Sequence, residues 1–344
     1  METYHFGSIT RLAPLATQPF TVQPLGRDAW RTGDFVAGEV VGESRVYHLE
    51  RVDGRLQELV PGDYVIGALG DRRATLALVG DWRSIGDDGQ MHALNAAGVF
   101  GRCTSRSVFE PAPMPLVYRG HVHLDGRPAR MRDWAKSSST PFRLPVIQVI
   151  GTSMECGKTT AAKSLIRRLS KLGVQVGGMK LTGVGRYRDV LGMLDAGAKA
   201  IVDFVDVGLP SSLEEPQAFA SSVDEMLQLM AHQDVDLVVA ELGASPMEPY
   251  NGTVAMEKLA PHVRLTLLAA SDMYATLGAI HYLDIRPDLI VGRVASTAAG
   301  IEIGRQITGL PTLNPVDPAA ADQFDALLRD VFPRELAGRL EKPE

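Results

Sequence analysis

Residues 146–160 read VIQVIGTSMECGKTT, a string in which residue type and spacing both point to chemistry on phosphate. A β-favouring apolar run (Val146, Ile147, Val149, Ile150) meets Gly151, a short loop follows, and Gly157-Lys158-Thr159 opens a stretch with helical spacing. In that order, strand, loop and helix aim successive backbone N–H groups at an anion. Gly151, Thr152, Ser153, Met154, Glu155, Cys156, Gly157, Lys158, Thr159 and Thr160 are therefore the expected phosphate-contacting residues. Gly157 permits close backbone approach, Lys158 brings a mobile positive charge, and the Thr159 hydroxyl can reach Mg²⁺. Five residues rather than four separate Gly151 from Gly157, so the loop departs from the usual spacing while keeping its physics.

The elements that must hold this loop follow an alternating pattern. Ala162, Leu165, Ile166, Leu169 and Leu172 give the first helix one apolar stripe, which stops at Gly173. A strand over 174–181 runs into Lys180, Thr182 and Gly183. A helical piece over 189–198 leads to an apolar strand over 200–207 that carries Asp203 and Asp206. A helix over 221–232 feeds a strand over 235–240, which finishes on Glu241-Leu242-Gly243-Ala244-Ser245. Strands over 263–270, 289–294 and 311–313 then alternate with helices over 276–282, 300–308 and 319–332.

This alternation predicts an α/β domain, a parallel sheet with helices on both faces joined by right-handed crossovers. Ligands of such sheets bind at the C-terminal strand ends, where the loop, Lys180 and Glu241 all fall. Lys158, Lys180 and Glu241 are the expected catalytic groups. Lys180, Thr182 and Gly183 are expected to meet substrate, together with the polar loop 245–253 that carries Ser245, Glu248, Tyr250 and Asn251.

The first part of the chain reads differently. Short strands over 34–41, 44–52, 64–69 and 74–79 are separated by glycine-bearing turns, which predicts a small all-β, barrel-like unit of about five to seven strands. After a proline-rich bend over 110–115, a hairpin strand over 116–124 places His121 and His123 on one face. That spacing could hold a metal, but no third ligand is identifiable, and a polar strand face is the plainer reading. Residues 1–135 form the expected first domain, 136–144 a linker, and 145–344 the phosphate-loop domain.

The composition, 344 residues with 45% hydrophobic and 22% charged, fits two globular domains and excludes a disordered or fibrous chain. Cys103 and Cys156 are too few for a disulfide framework and are expected as free thiols. Cys156 at a helix N-terminus could be redox-sensitive, although a small residue fitting beside phosphate is the simpler reading. A net charge of −6 without a long basic patch argues against nucleic acid as a partner. Arg167, Arg168 and Lys171 are expected on a solvated helix face. No apolar run reaches the roughly 20 residues a membrane span needs, and no secretory signal is evident, so a cytoplasmic protein with no membrane partner is expected.

Gly151-Thr152 with Gly157-Lys158-Thr159, Lys180 with Gly183, and Glu241 with Gly243 recur in an order that resembles the dethiobiotin synthetase branch of P-loop proteins. The resemblance covers the second domain. It implies ATP as nucleotide, Lys158 and Lys180 on phosphates or the reacting group, and Mg²⁺ held by Thr159 and Glu241. Where that family places an acidic residue, this chain has Ser153, and Asp189 or Asp203 could take the role. Gly292-Arg293-Val294 stands where a base-recognising asparagine is expected. Residues 200–208 (AIVDFVDVG), 241–252 (ELGASPMEPYNG) and 309–314 (GLPTLN) are also similar to an uncharacterised P-loop family linked to N-acylation of acidic D-amino acids.

The leading expectation is an ATP- and Mg²⁺-dependent synthetase or kinase-like enzyme that phosphorylates a small acidic metabolite, at a carboxylate, for attack by an amine. An acyltransferase holding coenzyme A phosphates in the loop is one alternative. A regulatory or metal-delivery NTPase is another. The β domain is expected to cover the nucleotide, bind substrate or mediate a homodimer.

Overall fold

Glycine-separated runs of β-branched and aromatic residues fold, in the computed structural model, into antiparallel ladders that occupy the first part of the chain. The structure describes residues 3–42 and 46–337. By internal contacts these fall into two units. Unit 1 comprises Met1–Ser137, Gly183–Arg188 and Phe204–Glu215; unit 2 comprises Ser138–Thr182, Asp189–Asp203 and Pro216–Glu344.

Unit 1 is built on a ten-stranded sheet. Five of its strands are β1 (Phe35–Val40), β2 (Tyr64–Leu69), β3 (Gln90–Ala93), β4 (Val99–Arg106) and β5 (Met114–Leu124). They pair in the order β2–β1–β5–β3–β4, and a parallel pairing of β4 with β2 closes the ring. Val36, Val65, Leu69, Met91, Phe100 and Leu116 fill its interior. The expected barrel-like unit is thus present, with more strands in its sheet than turn spacing predicts.

Several local expectations for unit 1 are corrected. Residues 74–79 do not form one strand: Arg72–Arg73 and Leu78–Asp81 pair across a turn. The strand expected over 44–52 is Tyr47–Glu50, and its expected start at Ser44 lies outside the described residues. His121 and His123 do not form a polar strand face, because both are buried. Tyr118 Oη lies 2.6 Å from His121 Nδ1, and Asp34 Oδ2 lies 3.4 Å from its Nε2. Among the described residues no group of three or more His, Cys, Asp or Glu could hold a metal.

Unit 2 is a six-stranded parallel sheet flanked by helices. Its strands are β6 (Val146–Gly151), β7 (Val176–Thr182), β8 (Ala200–Asp203), β9 (Leu237–Leu242), β10 (Val263–Ala269) and β11 (Leu289–Val291), in the order β8–β7–β9–β6–β10–β11. The helices are α1 (Lys158–Lys171), α2 (Tyr187–Asp195, whose first two residues fall in unit 1), α3 (Pro216–Ala231), α4 (Gly252–Leu259), α5 (Met273–Leu283), α6 (Ala298–Thr308) and α7 (Ala321–Val331). Burying the α1 stripe of Leu165, Ile166 and Leu169 contributes about 1.5–3 kcal/mol per side chain.

The strand expected over 200–207 ends at Asp203, because turn hydrogen bonds from Gly208 N to Val205 O and from Leu209 N to Phe204 O fold the next residues back. The strand over 289–294 stops at Val291, where Gly292 takes a φ of 93°. Residues 311–313 contribute only an isolated bridge, Thr312 to Ile290. Helix α4 lacks a sequence signal strong enough to predict it. Arg168 is not simply solvated: its Nε bonds Asp325 Oδ1 at 2.6 Å, tying α1 to α7. Among the described residues no helix is long and apolar enough to cross a membrane.

Candidate functional site

Unit 2 brings the loop between β6 and α1 and the ends of β7 and β9 to one edge of the sheet. Gly157, at a φ of 110°, turns the loop into α1, whose N-terminus has no side-chain cap and no acidic residue in its first turn. Among the described residues, the backbone N–H groups of residues 153–160 donate to no protein acceptor. A row of unmet donors at an uncapped helix N-terminus is an electrostatic site for an anion. Lys158, almost buried, turns its Nζ back to Ser153 O at 2.6 Å and lies 3.7 Å from Cys156 Sγ. Glu155 is exposed with a φ of 61°, strain of the kind found where a loop is shaped for a ligand.

The loop is braced from the neighbouring strand ends. Thr152 N donates to Ala269 O, Ser271 N donates to Thr152 Oγ1, and Arg293 N donates to Cys156 O. Gly292 therefore has a structural reason that sequence reading missed. A Cβ there would lie 2.3 Å from Cys156 O and 3.0 Å from Ala270 N. Gly292→Ala is expected to lower stability by about 1–3 kcal/mol and to weaken more than tenfold any anion binding by the loop. Thermal unfolding and equilibrium titration with a fluorescent nucleotide measure both.

Strand register places the charged groups in one row. Asp203 on β8 pairs with Lys180 on β7, Lys180 with Glu241 on β9, and Glu241 with Val149 on β6. All three charged side chains are buried. Lys180 Nζ also bonds the Asp189 carboxylate from the first turn of α2. Burial alone would pull the lysine's pKa down, but Asp189, Glu241 and Asp203 outweigh it and hold the pKa above the ordinary value. Burial pushes the Glu241 carboxyl above the usual carboxylate range; Lys180 opposes that rise and Asp189 adds to it.

Glu241 has a free valence for a ligand. Thr159 Oγ1 donates to its Oε1 at 2.8 Å, while Oε2 is buried with no hydrogen-bond partner. A carboxylate oxygen beside a threonine hydroxyl is a hard-oxygen donor set, which suits Mg²⁺ better than softer metals. Among the described residues no group of three or more His, Cys, Asp or Glu could enclose a metal here, as suits an ion that completes its shell with phosphate oxygens and water. Thr159 and Glu241 fit Mg²⁺. Asp189 is instead engaged by Lys180.

The remaining expected residues spread out. Thr182 is buried and donates its hydroxyl to Gly243 O at 2.8 Å. A Cβ on Gly243 would lie 2.2 Å from Thr182 O, which explains the glycine two residues after Glu241. Gly183 belongs to unit 1, where Ser212 Oγ accepts its N–H and Ser212 N donates to its carbonyl. In the loop after β9, Glu248 Oε2 accepts Ser245 N at 2.8 Å, Tyr250 is fully buried, and Asn251 precedes α4 with a φ of 59°. Glu248 and Ser245 thus brace the loop's own backbone.

No family model and no curated protein matches the chain. Among solved structures, the signal recognition particle receptor FtsY from Elizabethkingia anophelis is 18% identical over 53% of this chain and 61% of that chain, with a TM-score of 0.36. HypB from Helicobacter pylori, in complex with nickel, is 13% identical over 55% of this chain and 86% of that one, at 0.37. A nucleotide-binding protein from Archaeoglobus fulgidus, in complex with ADP, is 13% identical over 58% and 88%, at 0.35. In the first of these the match takes in less than two thirds of the other protein's length. Likeness at this level bears on neither activity nor ligand.

Proposed function

We propose that unit 2 binds a nucleoside triphosphate with Mg²⁺ and transfers its terminal phosphoryl group to a small acidic metabolite, with ATP as the nucleotide. The observation that carries this reading is the buried Glu241 Oε2, without a hydrogen-bond partner among the described residues, beside Thr159 and next to residues 153–160, whose backbone N–H groups donate to no described protein acceptor. Both features favour a ligand that brings phosphate oxygens and a divalent cation together.

The chain's own residues would divide the work. The loop amides bind phosphate oxygens, and Lys158 exchanges its bond to Ser153 O for one to phosphate. Thr159 and Glu241 would hold the Mg²⁺, which neutralises charge on the phosphate oxygens when bound. Lys180, kept protonated by three carboxylates, offers a fixed positive charge at the strand end where a transferring group would pass. None of these groups forms a covalent bond; the site works by positioning and by charge.

A thermal-shift screen tests the reading. Mg²⁺ and ATP together, at a hundred times the dissociation constant, should stabilise the protein by about 2.7 kcal/mol. Neither alone should do as much. A response to acetyl-coenzyme A and none to any Mg²⁺-nucleotide would replace the phosphoryl-transfer reading with acyl transfer.

A further inference from the structure

Glu50 ends the strand Tyr47–Glu50 and is fully buried. A carboxylate so placed needs strong partners. It accepts the Ser8 hydroxyl, Tyr187 N at 2.7 Å and Arg188 N at 3.3 Å. The Arg186 guanidinium lies 3.9 Å away. All of these residues belong to unit 1.

Tyr187 and Arg188 are the first two residues of α2, so Glu50 satisfies two of the N–H groups a helix start leaves unmet, and does so with a full negative charge. Helix α2 has only nine residues. A helix that short is marginal by itself, and its first turn persists only while those donors are met. The next residue of that turn is Asp189, whose carboxylate holds Lys180.

We propose that Glu50 is a positioning residue for Lys180: by holding the first turn of α2 it fixes Asp189 against the lysine. Asp189 in turn supplies the carboxylate that bonds the Lys180 ammonium. If the turn frays, Asp189 leaves the ammonium, and the lysine loses that counter-charge. The significance of Lys180 for turnover rests on the function proposed above; the geometric linkage does not.

Competitive acetylation of Lys180 with acetic anhydride, read by mass spectrometry, tests the linkage in the full-length protein. Glu50→Gln should lower the lysine's pKa by about one unit and raise its labelling rate about tenfold, as should Asp189→Asn. In the Asp189→Asn background, Glu50→Gln should add less than about twofold, because the two act in series. Ser8→Ala removes another partner of Glu50 without touching α2 and should leave labelling unchanged. Glu50→Asp, which keeps the charge but shortens its reach, serves if Glu50→Gln does not fold. Wild-type labelling in a folded Glu50 variant, or effects of Glu50 and Asp189 that multiply independently, would overturn the proposal. This readout needs no catalysis, so a protein that turns over no nucleotide would disprove the proposed function and leave the linkage standing.

Discussion

Lys158→Ala is expected to reduce nucleotide-dependent turnover by about 10²–10³-fold or more, while the protein remains folded. The loop's other braces do not involve this side chain: Thr152 N and Arg293 N donate to backbone carbonyls, and Ser271 N donates to the Thr152 hydroxyl. The substitution removes the ammonium and leaves Ser153 O without it, a cost of about 1–3 kcal/mol at most. Lys158→Arg should not rescue activity. The Nζ is packed beside Cys156 Sγ, and even a Cβ on Gly151 would lie 2.6 Å from the lysine's own methylenes, so a planar guanidinium has no room. Steady-state turnover, with circular dichroism as control, decides it. Wild-type turnover in Lys158→Ala would end the phosphoryl-transfer reading.

Glu241→Gln should separate stability from function. Because burial raises this carboxyl's pKa, the folded chain binds the proton more tightly than the unfolded chain does. The ionised group therefore destabilises the metal-free protein at neutral pH, and this cost fades as pH falls through the raised pKa. Glutamine removes the charge at every pH. The metal-free variant should be more stable than the parent at pH 8, the gain shrinking toward pH 4. It should lose Mg²⁺-dependent nucleotide binding, since an amide oxygen is a poorer ligand for a hard cation. For the unsubstituted protein, Mg²⁺ affinity should fall as acidification protonates Glu241. A metal-free Glu241→Gln protein less stable than the parent at pH 8 would show that the Lys180 attraction outweighs burial.

The parts of the site legible in sequence were those encoded by short-range pattern. The strand, loop and helix around Lys158 have local spacing, and Lys180 and Glu241 fall late in short apolar runs that the structure forms as buried strands. What sequence concealed depends on partners far along the chain. Asp189 reads as a candidate metal ligand until the first turn of α2 places it on Lys180. Gly292 reads as a missing asparagine until the loop is seen lying against it. Loop 245–253 reads as polar and available, yet Glu248 binds backbone within the loop and Tyr250 enters the core. Helix α4 follows with neither a side-chain cap bond nor an acidic first turn, and so lacks the usual start signals.

The assignment of Gly183–Arg188 and Phe204–Glu215 to unit 1 has a consequence for biosynthesis. Asp206 accepts Lys136 at 2.7 Å and faces Arg11 at 3.6 Å, and Glu50 takes its backbone donors from Tyr187 and Arg188. A nascent chain that has emerged only as far as Ser137 must close its ring with Glu50 lacking those donors. At about 5–20 residues per second, the polypeptide waits several seconds for the missing segments. The amino-terminal barrel should therefore mature late, locking only after the ribosome has delivered the stretch that completes it.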